Sequence, residues 1–199
     1  MAATPTAGKP KRFPQLTLET LNAEQRPLGE AILKFSRVGI SGPYNPLLRS
    51  PVLAKRMLDL LDYLRWNSSL EPRITEIAIL IQARRLTSQV EWFAHEPIAR
   101  KAGLSEAVMA ELKAGKRPAS MKEDEAVVYD FCMELSERRQ VSDATFARAR
   151  AIFSDQQIID LTTVAGIYTT IAMLLAAAEE GVPTGEPPLA LLTAPMPLN

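Results

Sequence analysis

One cysteine, Cys132, and one histidine, His95, are all that the 199 residues contain of either type. A disulfide framework is thereby excluded. So is a cysteine-based zinc site, because four ligands cannot be gathered from one Cys and one His without carboxylates; no metal site and no bound cofactor are expected. Net charge is missing too, since 23 Lys and Arg balance 23 Asp and Glu. That balance leaves no electrostatic footprint for nucleic acid or an anionic membrane, and neither is expected as a partner. The opening MAATPTAGKPKRFP has no apolar h-region, so no export signal is expected and the chain is read as cytoplasmic. No run shows the β-branched alternation of a strand.

What is present is helical periodicity, in a chain long enough to bury one core. Residues 1–18 are expected to be a flexible arm, residues 19–182 a single all-α domain, and residues 183–199 an extended tail. The tail reading rests on Pro183, Pro187, Pro188, Pro195 and Pro197, which forbid a regular helix. Leu189, Leu191 and Leu192 are unusual for free coil and are expected to dock on the body or on a neighbouring subunit. Ser50 and Pro51 open a helix reaching Trp66, with Val52, Leu53, Met57, Leu60, Leu61 and Leu64 as its apolar stripe. Pro72 opens the next, whose ITEIAILIQA core is apolar nearly all round and so is buried on several sides. A helix from about 88 to 102 stops at Gly103, followed by helices at about 105–114, 120–139 and 142–153.

The last helix, from Asp155 to Glu180, contains LTTVAGIYTTIAMLLAAA. Asp160, four threonines and Tyr168 interrupt the run and no basic flank anchors it, which favours a core or subunit-interface helix over a membrane span. Its small residues, Ala165, Gly166, Ala172 and the 176–178 alanines, permit close approach of another helix. Runs 73–102 and 157–182 share a layout, an early acid (Glu76, Asp160) before an apolar run, which suggests a duplicated helical hairpin.

Chemistry concentrates at Glu76, Ser88, Glu91 and His95. Positions 88, 91 and 95 fall within roughly a 60° arc of one helix, and a hairpin between the 73–86 and 88–102 helices would bring the Glu76 carboxylate to that face. Each residue also has an ordinary reading. Ser88-x-x-Glu91 is a capping box, a pattern repeated at Ser120-x-x-Glu123 and Ser154-x-x-Gln157. Glu76 can pair with Arg73 at i−3. A lone His between Ala94 and Glu96 is commonly a satisfied structural residue.

The segment RITEIAILIQARRLTSQVEWFAHEPIARKAGL, residues 73–104, resembles the core motif of the carboxymuconolactone decarboxylase family, which includes the alkyl hydroperoxidase D-like proteins. GPYNPLLRSP at 42–51, the VSD…F element at 141–146 and the final helix extend the resemblance over roughly residues 35–183. It implies a compact helical bundle of the alkyl hydroperoxidase D-like type, assembled as a homotrimer or homohexamer. In the hydroperoxidase branch the motif has a Glu, then a C-x-x-C pair, then a His. Here those positions are Glu76, Ser88, Glu91 and His95, so both redox cysteines are replaced. A hydroxyl and a carboxylate cannot attack a peroxide and resolve a disulfide. Cys132, among Val128, Phe131 and Leu135, reads as a buried inert thiol.

The resemblance therefore implies the decarboxylase branch: a cofactor-independent lyase or isomerase acting on a small carboxylated lactone or related acid in aromatic-compound catabolism. His95 is expected as general acid/base and Glu91 as its orienting or proton-relaying partner. Glu76, desolvated by its Ile and Leu neighbours, is expected as a second acid/base with a raised pKa. Ser88, Trp92, Tyr44 and Tyr168 are the substrate-binding candidates, and Arg49, Arg73, Arg84 and Arg85 the candidate cations for a substrate carboxylate. The alternatives are a peroxiredoxin-like oxidoreductase and a non-catalytic oligomeric ligand-binding protein.

Overall fold

Proline sets φ near the helical value and lacks only an N–H that a helix's first residue cannot use. Pro51 and Pro72 accordingly stand at helix starts. The computed structural model describes residues 11–36, 39–182 and 189–198. Among these the order is α1 (Arg26–Leu33), α2 (Tyr44–Leu47), α3 (Pro51–Asp62), α4 (Pro72–Arg85), α5 (Gln89–Lys101), α6 (Glu106–Lys113), α7 (Glu123–Met133), α8 (Asp143–Ile152) and α9 (Asp155–Ala178). Two π-helical turns, Tyr63–Asn67 and Glu134–Arg138, continue α3 and α7. The described residues contain no strand. The short helices α1 and α2 lie upstream of Ser50, where periodicity did not expose them.

The all-round apolar surface of α4 is explained by its place at the centre. It packs against α5, α6, α7 and α9, and every residue from Ile74 to Arg84 is buried. α9 is two-faced: Ile158, Leu161, Ala165, Tyr168, Ala172 and Leu175 face the core, while Ile159, Gly166 and Met173 are exposed. It is the one helix among the described residues long and apolar enough to cross a membrane, and half of that stretch is buried inside the fold. The expected duplication does not hold. Residues 73–102 form the α4–α5 hairpin, but α9 runs unbroken, because 155–178 carries no Gly or Pro stop between two halves beyond the tolerated Gly166.

Helix ends follow local chemistry. Gly103, at φ +92°, closes α5 in a Schellman motif, with Leu104 N–H donating to the Ala99 carbonyl at 3.0 Å and Gly103 N–H to that of Arg100 at 3.1 Å. The same motif ends α4, where a β-branched residue, Thr87, takes the left-handed position at φ +50°. Ser154 and Gln157 form the anticipated capping box at α9. The box expected at Ser120 and Glu123 does not form: α7 begins later, with Lys122 as N-cap and its N–H donating to Glu125.

The terminal segments are tied to the body. From Lys11 onward the expected flexible arm is held by Arg12, which donates to the Ala177 carbonyl and pairs with Glu179, and by Asn45, whose side chain bonds Phe13 O and Leu16 N. Of the tail, Leu189 and Met196 are buried, Leu192 is half-buried and Leu191 is exposed. Pro183, Pro187 and Pro188 lie outside the described residues, as does Lys9 of the arm.

Candidate active site

The α4–α5 hairpin turns within residues 86–88, which lays the first turns of α5 along α4. Glu76, in the second turn of α4, thereby meets His95 on α5: Glu76 Oε2 lies 2.8 Å from His95 Nδ1. Both are buried, at 5% and 6% exposure, as are Glu91 at 3% and Ser88 at 8%. Tyr168 arrives from α9 and sets its ring perpendicular to the imidazole, with centroids 5.0 Å apart. Burial pushes the Tyr168 hydroxyl well above its usual pKa, and the charges of Glu76 and Glu91 add to the rise, so both carboxyls share its neighbourhood. Tyr44, on α2, is also buried, and burial raises its hydroxyl in the same sense.

The ordinary readings of Glu76, Ser88 and Glu91 are not realised, whereas His95 is buried and satisfied by Glu76. Arg73 pairs with Asp124 and Glu125 of α7 rather than with Glu76. Ser88 is the N-cap of α5 but makes no side-chain cap, and the Ser88 hydroxyl and both Glu91 carboxyl oxygens are buried without a hydrogen-bond partner among the described residues. The backbone explains the failed box. Ser105, Ser142 and Ser154, which do cap their helices, have ψ of 147°, 151° and 162°; Ser88, leaving the Thr87 turn, has ψ 97°. That rotation turns the hydroxyl away from the N3 amide.

An unpartnered carboxyl in such a place resists ionisation. Desolvation pushes Glu91 up from about 4.5 to about 8, although the nearby Ser88 hydroxyl pulls slightly the other way without reaching normal hydrogen-bond geometry. Glu91 is therefore protonated at neutral pH. Glu76, not Glu91, is the acid in hydrogen-bond contact with the imidazole. The reason is geometric: Glu76 faces His95 across the hairpin, whereas Glu91 precedes it by one turn on the same helix.

Trp92 takes other partners. Its indole N–H donates to Glu96 at 2.8 Å and the Lys113 ammonium rests 5.8 Å from its ring. Gln89, next to Ser88, exchanges two hydrogen bonds with the backbone of Leu189, which seats the tail beside the start of α5. Cys132 on α7 is fully buried, and burial pushes its thiol up to about 12 against the opposing effects of Arg85 and Gln82. Gln82 lies six residues, or about 9 Å of helix, from Glu76 along α4.

None of the four expected arginines reaches the site. Arg49 donates to the Asn45 and Pro14 carbonyls, Arg73 serves α7, Arg84 is buried on the Lys113 carbonyl and Thr87, and Arg85 pairs with Glu137. The cation acting most strongly on Tyr44 and Tyr168 is instead Arg65, which sequence reasoning missed. Its helical register continues that of α3, and no local signal marks the π turn that carries it. A surface groove of about 560 Å³ between α1 and α3 contains none of the site residues.

A scan against protein-family models finds no match to this chain, and a search of curated proteins finds none either. Solved structures do match. A peroxidase-related protein from Ralstonia eutropha JMP134, described as an alkylhydroperoxidase AhpD core, superposes with a TM-score of 0.72 at 14% identity, covering 89% of this chain and 95% of that one. This chain has the fold of the AhpD core. A second structure, a peroxidase-related protein from Silicibacter sp. TM1040, gives a TM-score of 0.68 at 16% identity, over 88% of this chain and 94% of its own. A protein of unknown function from Agrobacterium tumefaciens gives 0.61 at 22% identity, over 68% and 94%. In this AhpD-type bundle the Glu/His pair lies on the central hairpin, between α4 and α5.

Proposed function

We propose that this chain is a member of the carboxymuconolactone decarboxylase family that catalyses proton transfer on a small carboxylated lactone or related acid, as a lyase or isomerase without a redox cofactor. The observation that carries this reading is the buried Glu91 carboxyl, unpartnered among the described residues, one helical turn before an imidazole in contact with Glu76. A carboxyl whose pKa burial raises, one helical turn from an imidazole fixed by a second acid, supplies groups suited to proton transfer at neutral pH. With His95 Nδ1–H donated to Glu76, Nε2 keeps its lone pair and serves as base. In a decarboxylation, the C–C bond to the carboxylate breaks, CO₂ leaves, and the electron pair forms a dienolate; the Glu91 carboxyl delivers its proton to carbon and is reprotonated from water through His95. In an isomerisation, His95 removes the proton and Glu91 supplies one at the new position. Tyr168 and Ser88 are proposed to border the substrate, with Tyr44 behind them.

The peroxidase reading requires a reactive thiolate, and the only thiol is buried with its pKa pushed up to about 12. For assembly, the outward face of α9 beyond Asp155, with Ile159, Gly166 and Met173, is proposed to meet a second copy of the chain. The test of function is turnover of a panel of carboxylated γ-lactones in buffer treated with chelator. The proposal expects loss of substrate that declines above pH 8, as Glu91 ionises, and that collapses in His95→Ala. Equal turnover by His95→Ala and wild type would sink it.

A further inference from the structure

A substrate carrying a carboxylate needs a fixed cation with its N–H groups still free, and most arginines near the core are already engaged: Arg84 is buried on the Lys113 carbonyl and the Thr87 hydroxyl. Arg73 has Asp124 and Glu125, Arg85 has Glu137, and Arg117 and Arg148 share Asp130. Arg65 differs. It is half-buried on the π turn Tyr63–Asn67, which packs against both α4, the helix of Glu76, and α9, the helix of Tyr168. It has no carboxylate partner among the described residues, and its guanidinium is steadied only by the ring of Trp66, 4.9 Å from Cζ to centroid. Trp66 is itself 63% exposed, so this guanidinium sits where solvent meets the helices of the site.

We infer that Arg65 is the residue that receives the substrate carboxylate, with Trp66 beneath the guanidinium and with Tyr168, whose ring meets His95, in its neighbourhood. A guanidinium stacked on an aromatic ring keeps its N–H edge free and preoriented for bidentate recognition of a carboxylate. Its positive charge opposes the rise that burial imposes on the hydroxyls of Tyr44 and Tyr168, and is the first charge acting on each. The π turn has a purpose in this reading. An inserted residue in a helix re-aims the side chains after it, and such insertions recur at functional sites. Asp160 pins the turn, accepting from Tyr63 Oη at 3.2 Å, Ser69 N–H at 3.0 Å and Ser69 Oγ at 2.7 Å.

This inference rests on the proton-transfer reading and sharpens it: the substrate is an anion, and Arg65 discriminates it from its ester. The test compares binding of paraconate, a γ-lactone carboxylate, with binding of its methyl ester, by calorimetry on the full-length protein. Arg65→Met should weaken paraconate by about 10- to 100-fold and leave the ester within about twofold; Arg65→Lys should restore part of the loss, and Arg56→Met, on the outer face of α3, none of it being lost. Thermal melts establish that each variant is folded. Paraconate bound equally by wild type and Arg65→Met, or acid and ester weakened alike, overturns the assignment. Arg65-dependent binding without turnover refutes the proton-transfer reading and leaves Arg65 as an anion site. Turnover with Arg65-independent binding refutes Arg65 alone. Wild type binding neither ligand overturns both.

Discussion

Replacing Glu91 with glutamine should make the protein more stable and less active. The magnitude follows from the displaced ionisation. Glu91 holds its proton up to about pH 8 in the folded chain and releases it near 4.5 when unfolded. Between those values the unfolded state is the one that has lost the proton, so stability falls as pH rises, by about 1.4 kcal/mol per pH unit. At pH 7 the penalty is about 3 kcal/mol, and above pH 8 it is fully developed at about 5 kcal/mol. Glutamine keeps the shape and does not ionise, so Glu91→Gln and wild type should agree to within about 1 kcal/mol near pH 4.5 and diverge steadily to pH 8. Urea denaturation at half-unit pH steps reads this directly. A destabilised Glu91→Gln at pH 7, or a difference independent of pH, would refute the reasoning. A capping role for Glu91 predicts neither trend, because Gln serves a capping box as well as Glu.

Three further outcomes are expected. His95→Ala and Glu76→Gln should each lower kcat by about 10²- to 10⁴-fold, and the double variant should be scarcely worse than either alone, since the two act as one unit. Asp160→Asn, which weakens three hydrogen bonds onto the Tyr63 turn and Ser69, should cost about 2 kcal/mol in chemical denaturation; an unchanged midpoint would show that the turn holds itself. Cys132→Ala should leave lactone turnover unchanged, and neither it nor wild type should reduce hydrogen peroxide with a dithiol donor. A peroxidase activity abolished by this substitution would contradict the inert-thiol account.

Much of the scaffold was legible because its determinants are local. Pro51, Pro72 and Gly103 mark helix ends through φ alone, and the all-round apolar core of α4 could only be central. The α4–α5 hairpin followed from the same signals, and with it the approach of Glu76 to His95. What escaped was decided by orientation rather than by residue type. Ser88-x-x-Glu91 has the letters of a capping box, but the Schellman turn at Thr87 delivers Ser88 with a ψ that a cap does not use, so Glu91 is left without a hydrogen-bond partner among the described residues. Trp92 shares the sequence neighbourhood of His95 yet bonds Glu96. Arg65 was invisible because four other arginines looked equally available. Each of the four has at least one partner far away in sequence, Pro14, Asp124 and Glu125, Lys113 or Glu137, and only the packed fold shows which guanidinium groups are engaged.

The central claim is that this site moves protons to and from carbon. Deuterium incorporation measures that without assuming which bond breaks: carboxylated γ-lactones incubated with the protein in D₂O at pH 7 are followed by proton NMR. The account predicts loss of the proton signal next to the lactone carbonyl, in the substrate or in its decarboxylated product, at a rate that falls by at least about 10²-fold in His95→Ala. Exchange no faster than in buffer, or equally fast with His95→Ala, would contradict it.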